Sequence, residues 1–367
     1  MHVTTSKLDS LTSLRFFAAF GVFLLHYSQI SGALSLPEFK SINNILAEGH
    51  VWVTFFFMLS GFILTYSIYS KNKKPKFTEF MFRRIARIFP VHFLTLLVTI
   101  MFFLFIGKSI VLSSLISNLF LVQSWNTSQS VYWDLNAVSW SLSDELFFYV
   151  IFIPLCRVGL NWIISLMILI LAVFFFVYIN YKNVSYDFIR WFFYVLPIIR
   201  LMGFIVGILC YHIYEKIKSK NFDNYYSLFE FTSVIILFTS IYISAHSNIN
   251  KPIKWDIYYI IPLALLIIAF SLQKGIFSKA LGNKYILFLG NSSFALYMIH
   301  YYAIAIIFQY FIKNHNLHVI IFYLPFVAFL IILLSCIVYF YFEKPMNTYI
   351  FNKLMGLKFK KKFAIID

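Results

Sequence analysis

Ten apolar segments, each long enough to cross a lipid bilayer as a helix, constrain the fold of this 367-residue chain more than any other feature. A transmembrane helix needs about 20 predominantly apolar residues. With 61% hydrophobic and only 12% charged residues, the composition excludes an ordinary soluble domain. The segments lie near residues 11–30, 50–69, 88–106, 138–155, 160–180, 191–213, 228–245, 256–273, 285–311 and 318–342. The sequence therefore predicts an all-α polytopic membrane protein with about ten transmembrane helices in a single membrane domain.

Positive charges are distributed unevenly between the two sides that ten crossings would create. Ten crossings place both termini on one side, and the segments on that side carry 21 Lys and Arg residues against seven on the other. Because cytoplasmic loops are enriched in Lys and Arg, this asymmetry predicts an N-in, C-in topology. The formal net charge of +16 is attributed to the same bias and not to binding of nucleic acid.

Outside the apolar segments, two stretches have a predicted structural role. Residues 111–122 are apolar but too short to span comfortably, which favours a re-entrant or interfacial helix. Residues 346–367 are predicted to form a basic cytoplasmic tail beside anionic lipid headgroups, after a membrane domain over 1–345. The three cysteines lack the spacing of a disulfide framework or a zinc site, so no metal is expected.

The first apolar segment carries two basic side chains, Arg15 and His26. Eleven residues separate them, so on a helix they differ by only about 20° in direction and by roughly 16 Å along the axis. Placing a charged arginine in hydrocarbon costs about 2.5–3.5 kcal/mol. Their common face is therefore predicted to border a polar cavity. The interior arginine also favours a retained first helix over a cleaved signal peptide.

Three later segments also carry polar residues. The fourth opens with the adjacent carboxylates Asp144 and Glu145, of which Glu145 is predicted to face inward. The sixth carries Arg200 about halfway along, and the ninth carries His300. For His300 alone, a structural role with its ring hydrogen bonded to a backbone carbonyl is equally compatible with the sequence.

Depth along the predicted helices separates these residues into two groups. His26, Glu145 and His300 are predicted to converge in the outer half of the membrane. Arg15 and the run Arg83-Arg84-Ile85-Ala86-Arg87 fall at the cytoplasmic edge. The predicted layout is a cationic site on the inner side and a His/Glu/His site towards the outside.

This layout suits a reaction in which a phosphate-bearing donor on the cytoplasmic side passes a chemical group to a neutral acceptor on the outer side. Arg84 and Arg87, three apart at a predicted helix start, share a face and could clamp a diphosphate, although the positive-inside bias alone also explains basic residues there. Imidazole is the general base best matched to neutral pH. His26, paired with Glu145, is predicted to deprotonate a sugar hydroxyl and to protonate a leaving thiolate.

Six motifs follow one another in an order typical of a known family. They are Arg15-x10-His26, Phe57-x2-Ser60-Gly61-Phe62, Arg83-Arg84-x2-Arg87-Ile88-x-Pro90, Asn136-x3-Trp140-Ser141-Leu142-Ser143-x-Glu145, Leu289-Gly290-x2-Ser293-x3-Tyr297-x2-His300 and Glu343-Lys344-Pro345. Each motif alone is weak. Together, in order over nearly the whole chain, they resemble the integral-membrane acyltransferase family 3.

The resemblance implies a ten-helix acyltransferase of the bacterial cytoplasmic (inner) membrane. Such a protein would take an acyl group, usually acetyl from acetyl-CoA, and place it on a hydroxyl of a carbohydrate such as O-antigen, exopolysaccharide or a lipid-linked sugar. The implied partners are membrane lipid, the acyl-CoA donor and the carbohydrate acceptor, and the oligomeric state is left undefined.

The candidate site residues divide into three sets. The predicted catalytic residues are Arg15, His26, Glu145 and His300. The predicted acyl-CoA-binding residues are Arg83, Arg84 and Arg87. The predicted substrate-binding residues are Asn136, Trp140 and Arg200.

The sequence departs from the family pattern beside its glutamate. Asp144 stands where an apolar residue is usual, and Leu146 and Phe147 replace a common polar pair, which leaves Glu145 more isolated. A hydrolase-like domain is not expected after Pro345. The membrane domain would then complete the transfer itself or pass the group to a separate protein.

Two alternatives compete with this hypothesis. A transporter or flippase of a polysaccharide intermediate or of the acyl group would also use buried Arg, His and Glu, but it predicts inverted repeats and broken helix pairs that the sequence does not show. Within the enzyme hypothesis, a transient acyl-His26 is the alternative to general-base catalysis. Ser60, Ser141 and Ser143 are disfavoured as nucleophiles, because small residues in spans usually serve close helix packing.

Overall fold

The computed structural model describes residues 8–32, 37–70, 76–181, 184–222, 225–312 and 322–356. Within these ranges all regular secondary structure is helical, which confirms the predicted all-α class. The predicted basic tail lies outside the described residues from position 357 onward, so that prediction and the N-in, C-in orientation stay predictions.

The helices follow one another with short connections. In chain order the described α-helices are α1 (Asp9–Ser31), α2 (Lys40–Ala47), α3 (Val51–Tyr69), α4 (Phe77–Phe105), α5 (Leu112–Leu119), α6 (Gln129–Tyr132), α7 (Trp140–Leu155), α8 (Leu160–Asn180), α9 (Tyr186–Arg190), α10 (Pro197–Ile217), α11 (Tyr225–His246), α12 (Lys251–Trp255), α13 (Ile257–Ser271), α14 (Ile276–Leu281), α15 (Lys284–Asn291), α16 (Ser293–Ile307), α17 (Leu324–Val338) and α18 (Lys344–Leu354). Short π-helical turns occur at Trp191–Val195, Phe308–Ile312 and Tyr339–Glu343.

Ten helical segments in the described part of the chain are long and apolar enough to cross a membrane, which confirms the predicted number. They are Asp9–Ser31, Pro37–Tyr69, Phe77–Phe105, Ala137–Leu155, Leu160–Asn180, Tyr186–Ile217, Tyr225–His246, Lys251–Ser271, Ser293–Tyr310 and Leu324–Leu354. We call the membrane face at which α1 begins the N-terminal face, and the face at which α1 ends the opposite face.

Some predicted boundaries are wrong. Helix α4 begins at Phe77 and not near residue 88, because its first turns mix charged with apolar residues and so lack a strong hydropathy signal. Arg84 and Arg87 consequently lie about two and three turns inside a helix, not at its start. The predicted segment 285–311 is interrupted at Ser292, between α15 and α16.

The short helix predicted within residues 111–122 is α5. Leu112 and Ile116 are exposed on one side of it, whereas Ser114 and Asn118 are buried. An apolar face that points away from the protein interior suits a helix lying at the membrane interface.

Close packing of α3 on α10 anchors the centre of the fold. Gly61 of α3 lies against the backbone carbonyl of Phe204, and Gly207 of α10 lies against the backbone carbonyl of Met58. A Cβ atom at either glycine would collide with that carbonyl oxygen, so only glycine permits this approach. Small residues serve the same purpose in other membrane helix pairs.

Helix α1 lies at the centre of the helix bundle, in contact with α3, α13, α14, α15 and α16. Helices α8 and α17 lie at the periphery and bury only a few of their side chains. Helix α1 is thereby enclosed by other helices, as Arg15 and His26 require.

Substituting either packed glycine should loosen the bundle. We expect Gly61→Ala and Gly207→Ala each to lower the free energy of unfolding by about 1–3 kcal/mol, because the added methyl group must displace backbone. Detergent-induced unfolding in mixed micelles measures this. Gly203→Ala, also within α10, is the matched control, since a Cβ there meets its nearest atoms only at ordinary contact distances of 3.8 Å or more. Equal losses in all three variants would contradict the packing argument.

Candidate functional site

Two cavities lie one above the other between the helices. The first, which we call the histidine cavity, includes His26 and has a volume of about 1240 Å³. The second, which we call the arginine cavity, includes Arg15, Arg84 and Arg87 and has a volume of about 130 Å³. Arg15 is near the start of α1 and His26 near its end, so the arginine cavity lies towards the N-terminal face and the histidine cavity towards the opposite face.

Aromatic and charged side chains share the walls of the histidine cavity. The aromatic lining residues are Trp133, Trp140, Tyr186, Tyr194, Trp255, Tyr297 and Tyr301. The charged lining residues, besides His26 and His50, are Glu48, Lys108, Asp134, Asp187, Arg190, Lys251 and Lys254. Broad aromatic faces interleaved with charged groups of both signs suit a large polar ligand that also has apolar surface.

His26 and His300 form a direct pair. His26 Nδ1 lies 2.9 Å from His300 Nε2, and His300 Nδ1 donates to the carbonyl of Leu296 at 3.1 Å. A neutral His300 that donates from Nδ1 must accept at Nε2, so His26 Nδ1 is the donor of the pair. The Nε2 of His26 then carries the lone pair of the ring, and the ring also has a hydrogen bond to the backbone of Val22.

The two histidines have different positions relative to the cavity. His26 is half-buried and lines it, with the ring of Tyr301 packed edge-on at 5.2 Å between centroids. His300 is fully buried behind it. The geometry places His26 where a ligand can reach it and gives His300 the position of a residue that orients it.

The arginine cavity holds the predicted glutamate as well as three arginines. Glu145 accepts hydrogen bonds from Tyr149 Oη at 2.5 Å and from Ser60 Oγ at 3.4 Å. The guanidinium of Arg84 lies 5.8 Å from the centre of the Tyr149 ring. Arg15 is close enough to Arg87 and Glu145 to interact with both electrostatically.

The predicted pairing of His26 with Glu145 is wrong. His26 is paired with His300, whereas Glu145 lies in the other cavity with Ser60 and Tyr149. Helix α7 has only 16 residues and follows a turn at Ala137–Ser139 that already lies within the protein. Glu145 is ten residues from the end of α7, about 15 Å, and so lies deeper than its distance from the helix start suggested.

The three arginines of the α4 motif do not all face the same cavity. Arg84 and Arg87 both line the arginine cavity, in agreement with their predicted common face. Arg83 points elsewhere, because it pairs with Glu79 at 2.9 Å and stacks at 4.3 Å over the ring of Phe351 in α18. This position weighs against the predicted contact of Arg83 with a donor.

Trp140 and Asn136 occupy different environments, although both were predicted to bind substrate. Trp140 lines the histidine cavity and packs 4.9 Å from the Tyr194 ring. Asn136 is fully buried, and its amide donates to Thr95 Oγ1 at 3.2 Å and to the carbonyl of Met298 at 3.0 Å. Asn136 therefore ties the loop before α7 to α4 and α16 and lines neither of the two cavities.

Arg200 is a second predicted substrate-binding residue that lines neither cavity. It is fully buried, lies 3.2 Å from the Asp256 carboxylate, and donates to Thr54 Oγ1 and to the carbonyl of Trp255, each at 3.1 Å. Its guanidinium also lies over the ring of Phe57. These contacts join α3, α10 and the start of α13 and favour a structural role.

Several residues of the cavities had no predicted role. Glu48 is a buried carboxylate that accepts from Tyr259 at 2.7 Å, from Ser244 at 2.9 Å and from Lys254 at 3.1 Å. Its partners lie about two hundred residues away in sequence, so no local pattern reveals them. Tyr149, in contrast, follows Glu145 by four residues, and that spacing on a helix could have identified it.

Neither cavity contains a cluster of potential metal-binding side chains among the described residues. No group of three or more His, Cys, Asp or Glu side chains in the described residues is arranged to hold a metal ion.

With this geometry established, the sequence can be compared with known proteins. A family described as an acyltransferase domain, acyltransferase 3, matches residues 8–341. Because this match covers nearly the whole chain, the protein belongs to the acyltransferase-3 family. No solved structure matches the fold.

Two curated relatives are similar over different lengths. "Acyltransferase MdmB" of Streptomyces mycarofaciens is 36% identical over 151 residues, which is 40% of this chain and 38% of the relative. "O-acetyltransferase OatA" of Staphylococcus aureus is 25% identical over 336 residues, which is 84% of this chain and 52% of the relative. The chain thus spans about half or less of the length of each relative.

Removing the buried partner of Arg200 should be costly. We expect Asp256→Asn to lower the free energy of unfolding by about 3–5 kcal/mol, because it leaves a buried charge without its counterion. Detergent-induced unfolding again provides the measurement.

A matched control is Lys218→Ala, which breaks a partly exposed ion pair with Glu215. Exposed pairs contribute about 0–1 kcal/mol, so this loss should be small. The proposed role of the buried pair is refuted if the two variants lose equal stability.

Proposed function

We propose that this chain is a bacterial membrane O-acetyltransferase that moves an acetyl group from cytoplasmic acetyl-CoA to a hydroxyl of a carbohydrate on the other side of the membrane. One observation carries the proposal: an arginine-lined cavity towards the N-terminal face meets a cavity lined by the imidazole of His26 towards the opposite face. Membership of the acyltransferase-3 family favours transfer over transport.

The arginine cavity would bind the phosphates of the donor at Arg84 and Arg87 and admit its thioester arm. Arginine binds phosphate through bidentate, charge-assisted hydrogen bonds, and Arg84 and Arg87 share one face of α4. At about 130 Å³ the cavity is well below the roughly 300–1,000 Å³ of pockets that enclose a drug-sized ligand. The nucleotide would therefore remain towards the cytoplasm, and the thioester arm would enter past Arg15.

The histidine cavity would hold the acceptor. Its volume of about 1240 Å³ exceeds that usual range, and aromatic rings alternate in its walls with charged groups. A sugar presents both hydroxyl groups and apolar C–H faces, which these walls complement. The relative named O-acetyltransferase OatA supports an oxygen atom as the acceptor and acetyl as the group transferred.

The chemistry follows from the tautomers of the histidine pair. His26 Nε2 would take the proton of the acceptor hydroxyl while that oxygen bonds to the thioester carbonyl carbon. The carbon–sulfur bond then breaks, and the proton held by His26 passes to the departing thiolate. His300 Nε2 accepts from His26 Nδ1 throughout, which stabilises the positively charged intermediate form of His26.

Transfer of labelled acetyl from acetyl-CoA to carbohydrate in inverted membrane vesicles tests the proposal. We expect His26→Ala to lower the rate by at least about 10²-fold, the usual contribution of a general base. Arg84→Ala should raise the KM for acetyl-CoA by roughly tenfold to a hundredfold, because it removes a charged contact to phosphate.

The matched controls are His246→Ala and Arg157→Ala, which alter an exposed histidine and an exposed arginine outside both cavities. Both should retain normal rates at equal membrane abundance. Absence of labelled carbohydrate with the unaltered chain, across several surface glycans, would overturn the proposed donor and acceptor.

His300 should act through His26. We expect His300→Ala to lower kcat roughly tenfold to a hundredfold while the KM for acetyl-CoA stays constant, because a hydrogen bond to a charged group is lost but the arginine cavity is untouched. A steady-state titration with acetyl-CoA separates the two parameters. A change in KM with constant kcat would instead place His300 in donor binding.

A further inference from the structure

The boundary between the two cavities is formed by side chains that border both of them. Val53 of α3 and Tyr297 of α16 line the histidine cavity and the arginine cavity alike. Tyr297 is one turn before His300 on the same helix, and its ring centroid lies 5.9 Å from that of His300. Anything that passes between the cavities must therefore pass these two side chains.

Hydrogen bonds hold the Tyr297 ring across the boundary. Its hydroxyl lies 2.8 Å from Ser141 Oγ, and Ser141 Oγ donates to the carbonyl of Val138 at 3.0 Å. The tyrosine hydroxyl also donates to the same carbonyl, at 3.3 Å. The ring also packs edge-on against Phe56 at 5.8 Å.

The side chain of Tyr297 is large and borders both cavities, so truncating it would join them. It is 7% exposed and belongs to a helix that also supplies His300. Ser141 and Val138 lie at the start of α7 and in the turn before it, so the hydrogen bonds connect α16 to the segment that also carries Glu145.

We propose that Tyr297, held by Ser141 and assisted by Val53, is the partition between the two cavities. It separates the solvent of the histidine cavity from the arginine cavity. The Tyr297 side chain moves aside when the acyl end of a donor passes from the arginine cavity towards the histidine cavity. Tyr297 is thus a positioning residue, distinct from the histidines.

The consequence for catalysis rests on the proposed acyl transfer. Without the partition, water from the histidine cavity would reach the thioester in the arginine cavity. Its oxygen would bond to the acyl carbon, the carbon–sulfur bond would break, and the thiolate would take up a proton, releasing free acid and coenzyme A. The partition therefore favours transfer to a hydroxyl over hydrolysis.

Access to an introduced cysteine tests the partition without reference to any donor. Ser60→Cys places a thiol in the arginine cavity, and Gln29→Cys places one in the histidine cavity, each in a chain whose three native cysteines are changed to serine. The probe is the membrane-impermeant anion methanethiosulfonate ethylsulfonate, applied to right-side-out and to inverted vesicles. The face from which Gln29→Cys reacts identifies the side on which the histidine cavity opens.

From that side, Ser60→Cys should react slowly while Tyr297 is present. Adding Tyr297→Ala should raise its rate towards that of Gln29→Cys. Tyr297→Phe keeps the ring but loses the hydrogen bond, so it should raise the rate by roughly threefold to tenfold. The phenylalanine variant also keeps the test decisive if the alanine variant does not fold.

Tyr301→Ala is the matched control, since Tyr301 lies one turn further along α16 and lines the histidine cavity alone of the two. It should leave the labelling of Ser60→Cys unchanged. Rapid labelling with native Tyr297, or an equal increase in the Tyr301 variant, would overturn the partition.

Acetyl-CoA hydrolysis without acceptor supplies the second readout. If the proposed transfer is correct, Tyr297→Ala should raise the ratio of hydrolysis to transfer, and Tyr242→Ala, at an exposed tyrosine outside both cavities, should not. If labelling changes as expected but no variant consumes acetyl-CoA, the partition stands and the proposed donor fails. If transfer is active and labelling is insensitive to Tyr297, the partition alone is refuted.

Discussion

The cost of placing charged side chains in hydrocarbon is the constraint on which the rest of this structure depends. Each such group needs a counterion, a hydrogen-bond partner or a cavity. Arg200 pairs with Asp256 and donates to the carbonyl of Trp255, and it lies behind the cavity walls without lining either cavity. Arg15, Arg84 and Arg87 instead gather around a small cavity lined by the carboxylate of Glu145, with the buried carboxylate of Glu343 near Arg15 and Arg87. Three cations against two carboxylates leave one positive charge in excess. That residual positive charge is what makes the arginine cavity suited to an anionic donor.

Two helices align the donor and acceptor sites. Helix α1 supplies Arg15 to one cavity and His26 to the other, and α16, packed beside it, supplies His300 and Tyr297. The reacting groups of a transfer reaction must be held close together and in order. A central pair of helices, enclosed by the close contact of α3 with α10, provides that rigidity without a large soluble domain in the described residues.

Local sequence patterns predicted much of the candidate site. Arg15 and His26 share a face of α1, and Arg84 and Arg87 share a face of α4, because the helical period alone determines these relations. The same reasoning was wrong for Glu145, since its depth depends on where α7 begins relative to the other helices. It also missed Glu48, whose hydrogen-bond partners lie on α11, α12 and α13.

The sequence by itself determined the helical class, the ten crossings and the direction of each polar side chain around its own helix, because hydropathy and periodicity are local properties of the chain. Only the tertiary structure decided that His26 pairs with His300, that Glu145 joins the arginines, and that Tyr297 lies between the two cavities. These relations depend on which helices are neighbours and on their relative depth. Both are set by packing between distant segments, such as the contact of Gly61 with the α10 backbone, for which no local pattern exists.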